Sequence, residues 1–187
     1  MKHSLVRNKI VETASQLFYS NGYNRTGINE IIKEAGIAKA TLYSHFSSKE
    51  DICVAYLQNK NKTFVKDIKE YCSSKLKGYE RVLALFDFLE EFFHNPKFNG
   101  CWCINTVAEI PKENKKIQAE IKSQKNSFQD FIGGLILENM DNIGEDDGRN
   151  LAKQVYLLYE GAVAESHLHQ NDWPIKEMKK VCEKIIT

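Results

Sequence analysis

The stretch from Thr26 to Asp51, TGINEIIKEAGIAKATLYSHFSSKED, constrains the fold more tightly than any other part of this chain. Ile28, Ile31, Ile32 and Ala35 fall at i, i+3, i+4 and i+7, one face of a short helix. Gly36 follows at once, where a chain leaving a helix commonly needs a left-handed residue. Ile37 plugs the corner, and Ala38, Leu42 and Phe46 then recur every four residues as the inward stripe of a second short helix. Two short helices joined at a glycine corner form the helix-turn-helix pattern, whose second helix enters the DNA major groove. The charges agree: between Glu34 and Glu50 no acidic residue occurs, while Lys39, His45 and Lys49 do. A surface that faces phosphate needs that asymmetry.

The surroundings add to the pattern. An amphipathic helix ends in LFYSNGY (Leu17 to Tyr23), Thr26 opens the next element, and the IIKEAGI, KATLYSHF and SSKED runs follow in register. Together they resemble the amino-terminal domain of the tetracycline-repressor (TetR) family. The resemblance covers the first quarter to third of the chain, and the family diverges after it. It implies an all-α protein with a three-helix DNA-binding domain over residues 1–52. A fourth helix from about residue 47 would be the connector, and a larger helical regulatory and dimerisation domain would occupy 53–187. One departure stands out. The family usually starts the recognition helix with Ser or Thr, and this chain has Ala38. A missing cap costs about 0.5–2 kcal/mol, so packing is expected to hold this helix.

The DNA-facing set is then Lys39, Ala40, Thr41, Tyr43, Ser44 and His45. Lys39 and Thr41 can reach base edges or phosphate. Tyr43 and His45 lie one turn further on, where members of the resembled family touch the backbone. The alternative is that Tyr43 packs inside and His45 is an ordinary surface residue; Leu42 and Phe46 already fill the inward stripe, which leaves both free to face out. Thr26, and Lys49 at the start of the fourth helix, should add phosphate contacts, the latter helped by the helix N-terminus.

Composition bounds the rest. At 187 residues, 42% hydrophobic and 27% charged, the chain can bury an ordinary core. No apolar run reaches the length of a membrane span and no signal peptide opens the sequence, so no membrane partner and a cytoplasmic location are expected. Five cysteines, an odd number, argue for reduced thiols rather than a disulfide framework. Net charge is only +1, but residues 1–60 hold eight Lys or Arg against five Asp or Glu, and the remainder eighteen against twenty. A basic head on a mildly acidic body suits a DNA reader with a second function.

Periodicity predicts helices throughout. The first covers about Leu5 to Asn21, and the fourth starts at Ser47, where Ser47 and Glu50 have the capping-box spacing. The fifth, about Tyr79 to His94, is apolar nearly all round and reads as a central post. A short helix follows near Gly100 to Glu109. Two long ones cover Glu113 to Glu138 and Asp147 to Gln170, and a terminal one Ile175 to Ile186. Leu151, Val155, Leu158, Ala162 and Glu165 form one stripe of the second long helix, and Gly161, Ala162 and Ala164 keep its surface low. In the resembled family two such helices per subunit build a four-helix dimer seam, which makes this stripe the expected homodimer contact; the alternative is that both helices close the core.

Phe64, Phe86, Phe93, Trp102, Phe128 and Tyr159 could line a cavity for an apolar effector, although aromatics at helical spacing also make plain core. That a pocket exists is implied by the resemblance, since members of that family release DNA when a small molecule enters. Cys101 and Cys103 stand two apart, about 200° round a helix, so they cannot chelate one ion unless the segment is non-helical, and His167 and His169 share the defect. No metal and no cofactor are expected. A single reactive thiol in that pair is the alternative, a redox or electrophile sensor of the same fold. No Gly-x-Ser-x-Gly, P-loop or His-Glu-x-x-His occurs, which leaves a helical enzyme or adaptor as the least supported class. The reading is therefore a homodimeric transcriptional regulator on a palindromic double-stranded DNA operator, a repressor released by an unknown small-molecule effector.

Overall fold

The computed structural model describes residues 2–187, and every element among them is helical. In chain order these are α1 (Lys2–Asn21), α2 (Ile28–Ala35), α3 (Lys39–His45), α4 (Lys49–Ser73), α5 (Tyr79–Phe93), α6 (Trp102–Glu109), α7 (Lys115–Asn139), α8 (Glu145–His169) and α9 (Trp173–Ile186). They fall into two compact units. One holds the chain up to Thr63 together with Trp102–Gln124, and the other holds Phe64–Cys101 and Lys125–Thr187.

In the first unit α1 packs on α2 and α2 on α3. Its core draws Ile10, Ala14 and Phe18 from α1, Ile31 and Ala35 from α2, Leu42 from α3, and Ile52, Tyr56 and Leu57 from α4, all buried. These are the periodic apolar positions of the sequence, and burial of each Ile, Leu or Phe among them contributes on the order of 1.5–3 kcal/mol. The end of α1 is held by a glycine that no other residue could replace without strain. Gly22 has φ 89°, and its N–H donates to Phe18 O at 3.1 Å. A Cβ there would lie 2.5 Å from Glu109 Oε1. That carboxylate accepts the Asn24 N–H at 2.7 Å, while the Asn24 side-chain amide donates to Glu109 O at 2.8 Å. The loop after α1 is thus clamped to the end of α6.

The fourth helix starts one residue later than the capping-box spacing suggested. The Ser48 hydroxyl, not Ser47, accepts the Asp51 N–H at 3.1 Å, and Lys49 is the first helical residue. Both Ser–x–x–acid pairs fit the sequence rule; the geometry selects the second. Asp51 also pairs with Lys116 of α7, and that hydrogen bond is the main reason its carboxyl is held below the usual range.

In the second unit α5 packs against α8 and α9, which pack on each other. Val82, Leu83, Ala84, Leu85, Phe86 and Leu89 are buried, so α5 is the post that its apolar run predicted. Asp87 faces outward and pairs with Lys179 of α9. α4 and α7 each contribute residues to both units.

Candidate nucleic-acid interface

The α2–α3 corner has the geometry its sequence demands. Gly36 adopts φ 60°, ψ 43°, the left-handed region, and its N–H and that of Ile37 close the end of α2 on Lys33 O (3.0 Å) and Ile32 O (3.2 Å). At the other end, the Glu30 carboxylate accepts the Gly27 N–H at 3.3 Å. Ala38 starts α3 in an extended conformation with no side-chain cap. The Thr41 and Leu42 N–H groups donate to Ala38 O at 3.0 and 3.2 Å, and Leu42 is fully buried. Packing holds the helix, as the missing Ser or Thr required.

The outward face of α3 carries Lys39, Ala40, Tyr43 and Ser44, all exposed, with the Tyr43 side chain 47% accessible. Ser44 donates to Thr41 O at 2.8 Å, and Thr41 is half-buried. No acidic residue occurs in this helix.

Three residues of the expected DNA-facing set also make contacts within the chain. Thr26 is fully buried, and its hydroxyl donates to Gly22 O at 2.8 Å and to Leu17 O at 3.3 Å. That side chain ties α1 to the loop before α2. His45 is half-buried, its ring 4.0 Å from that of His3, and its Nδ1 is buried without a partner. Desolvation first, then the charges of His3 and Arg7, lower its pKa. Lys49 lies over the Tyr23 ring at 4.2 Å, and burial lowers its pKa as well. It braces the turn after α1 as much as it offers a charge. Arg7, which sequence reasoning passed over, lies 4.9 Å from the Phe46 ring beside the end of α3. Nothing in the local pattern marked it, because α1 meets α3 only in the fold.

In the second unit most of the predicted effector aromatics touch one another. Phe64 meets Phe128 at 5.4 Å, Phe128 meets Tyr159 at 5.1 Å, and Tyr159 meets Phe86 at 6.0 Å between ring centroids. Phe93 pairs instead with Phe98 at 5.3 Å. Tyr159 is buried and its hydroxyl lacks a hydrogen-bond partner. Trp102 belongs to the first unit, where its indole N–H reaches Gln124 Oε1 at 3.5 Å.

Cys101 and Cys103 have different surroundings. Cys103 is buried and lies 3.5 Å from Gln124 Oε1. Cys101, half-buried, accepts from Lys125 Nζ at 3.1 Å, and the same ammonium bonds both Glu160 oxygens at 2.6 Å. Lys125 and Glu160 are each only 18% exposed. Neither was picked out from the sequence, where they stand on separate helices. The other thiols are buried, and burial pushes Cys53, Cys72 and Cys182 up to about 12.

The stripe expected at the dimer seam needs correction. Val155 and Ala162 are fully buried and Leu151 nearly so within the chain's own core, and Leu158 is half-buried. They face inward because α8 packs on α5 and α9. The outer face of α8 carries Leu157 (67% exposed), Gly161, Ala164 and Leu168 (71% exposed), spaced i, i+4, i+7 and i+11. A Cβ at Gly161 would meet no atom within 4 Å, so that face is open.

Comparison with known proteins gives the same architecture. The family model for bacterial regulatory proteins of the tetR family matches residues 10–56, and that for the tetracyclin repressor-like C-terminal domain matches 78–182. The fatty acid metabolism regulator protein of Bacillus subtilis is 26% identical over 149 residues, 79% of this chain and 75% of that protein. An HTH-type transcriptional regulator of Staphylococcus aureus is 35% identical over 86 residues, and the aligned part spans 46% of each chain. Among solved structures, a TetR-family regulator from Streptomyces coelicolor superposes with a TM-score of 0.86 at 26% identity, covering 97% of this chain and 88% of that one. Reduced NemR of E. coli also gives 0.86, at 20% identity, with 97% of each chain covered, a likeness of fold. No described helix is long and apolar enough to cross a membrane. With its HTH helices and its regulatory helices both matched, the second over more than half of its length, this chain belongs to the TetR family of bacterial transcriptional regulators.

Proposed function

We propose that the chain is a cytoplasmic repressor that binds a palindromic operator as a homodimer and leaves it when a small apolar molecule enters the second unit. The observation that carries the DNA half is α3: a helix without acid, held by Leu42 and Phe46, with Lys39, Ala40, Tyr43 and Ser44 outward. In this reading residues 1–52 form the DNA-binding domain and 53–187 the regulatory and dimerisation domain. Arg7 joins Lys39 and the N-terminus of α4 at Lys49 as phosphate contacts. The seam is the open face of α8 at Leu157, Gly161, Ala164 and Leu168, whose small central residues let a second copy's helices approach closely. The packed rings of Phe64, Phe86, Phe128 and Tyr159 support an apolar effector, and the matched regulator of fatty acid metabolism fits that class. A ligand that binds one arrangement better than the other shifts the population between them.

Selection of duplexes from a randomised pool by the purified chain tests this reading. A two-fold symmetric motif is expected, with half-site centres about 10 bp apart or a multiple of it. Enrichment of an asymmetric motif, or of none, contradicts it.

A second reading rests on Cys101. The Lys125 ammonium at 3.1 Å stabilises negative charge on its sulfur, and burial keeps Cys53, Cys72 and Cys182 protonated. Attack of that thiolate on a peroxide oxygen would break the O–O bond and leave a sulfenic acid plus water or an alcohol. Replacing the thiolate by a neutral acid would strip the Lys125–Glu160 pair of one partner. Thiol-reactive dye at neutral pH is expected to label one cysteine per native chain, and none in Cys101→Ser. For the sensor reading, peroxide must also release the native chain from its operator while Cys101→Ser stays bound. Equal release of both would remove the thiol from the mechanism.

A further inference from the structure

The end of α5 and the start of α9 bring together three donors from two distant parts of the chain. His94 caps α5 with helical φ −73°, ψ −4°, and its N–H donates to Glu90 O at 3.1 Å. Its side chain and that of Glu90, four residues apart, therefore leave the same face of the helix. Asp172, the N-cap residue of α9, faces them, with Oδ2 3.5 Å from His94 Nε2. One ligand atom from each of Glu90, His94 and Asp172 lies within 4.8 Å of the other two. The fold already keeps a cation at this spot. Lys176 Nζ is 2.8 Å from Asp172 Oδ2 and 3.4 Å from Glu90 Oε1, so its ammonium bridges the two carboxylates.

We propose that Glu90, His94 and Asp172 bind a divalent transition cation of the zinc class, with Lys176 as the ammonium that the metal displaces. The donor set selects the ion. Hard cations such as Mg²⁺ and Ca²⁺ prefer oxygen alone, whereas an imidazole with two carboxylates suits Zn²⁺ and its neighbours. Three protein ligands leave a fourth tetrahedral position for water. Metal–ligand distances of about 2.0–2.2 Å require the donor atoms to close by roughly an ångström. Side-chain rotation supplies that movement, because His94 is 59% and Glu90 33% exposed. The carboxylates and Lys176 form an ion pair in any case, so the metal replaces one cation with a doubly charged one and adds His94 to the link. The result is a tie between the end of α5 and the first turn of α9. No sequence motif marks it: the expectation of no metal rests on Cys101 with Cys103 and His167 with His169, and none of those four is in this cluster.

The test is a titration of the chelator-treated full chain with Zn²⁺ by calorimetry, and with Co²⁺ by visible absorption. One ion per chain is expected, with a cobalt spectrum that lacks a thiolate charge-transfer band. Cys101→Ser should bind as the native chain does. His94→Ala should lose at least about tenfold in affinity, and Lys176→Met should gain several-fold because the competing ammonium is gone. The two variants move affinity in opposite directions, so a general loss of structure cannot imitate the result. Absence of binding, a thiolate band, equal affinity in the native and His94→Ala chains, or no gain in Lys176→Met overturns the site.

Discussion

Replacing Leu157 and Leu168 together by Glu should convert the dimer into folded monomers and weaken operator binding by about 100-fold or more. Both leucines stand on the open face of α8, 67% and 71% exposed, so two carboxylates there cost the isolated chain little. In a seam between copies the same carboxylates would be buried without partners, which is expensive. Loss of the seam also separates the two recognition helices, and each half-site must then be bound alone. Light scattering during chromatography reads the mass, and circular dichroism reads the helix content. A double variant that remains a dimer would move the seam elsewhere. Ala162→Glu makes a useful contrast. Ala162 is fully buried on the inner face of α8, so a carboxylate there should unfold the second unit rather than dissociate a dimer.

The contrast between Leu157 and Ala162 marks the limit of what the sequence could tell. Helix boundaries came close, because apolar periodicity and the Asn95-Pro96 and Asp172–Pro174 breaks are local signals. The Gly36 corner was legible for the same reason: a left-handed residue must sit between two short apolar stripes. The inner face of α8 was not. That helix has apolar or small residues on both sides, and the choice between them is made by α5 and α9, which lie far off in the chain. Small residues were read as a sign of a close partner, and they occur on both faces, Ala152 and Ala162 inside, Gly161 and Ala164 toward the outside.

The inward stripe of α3 was legible in the sequence, and the partners of its neighbouring polar side chains were not. Periodicity placed Leu42 and Phe46 inside, which turns Lys39, Ala40 and Tyr43 outward. It could not say that the Thr26 hydroxyl is used by Leu17 O and Gly22 O, or that His3 shields His45. A hydroxyl or an imidazole has the same appearance in the sequence whether it serves a neighbour or a ligand. The Lys125–Cys101–Glu160 contacts and the Glu90–His94–Asp172 cluster were invisible for a related reason, since tertiary packing alone assembles them.

The most direct measurement of the central claim is an anisotropy titration of the selected operator by the native chain, Tyr43→Ala and Lys39→Ala at several salt concentrations. Both side chains project from α3 into solvent, and neither supports the core, so fold and dimer should persist. Tyr43→Ala should weaken operator binding by about tenfold or more, within the roughly 1–3 kcal/mol that a single good DNA contact supplies. Lys39→Ala separates two kinds of contact. A lysine on phosphate should lower affinity about equally for all sequences and flatten the log–log salt dependence by about one unit. A lysine on a base should relax the choice at one position of each half-site instead. Both variants should remain folded dimers and lose operator affinity. Native affinity in both, with the salt dependence unchanged, would contradict α3 as the element that reads DNA.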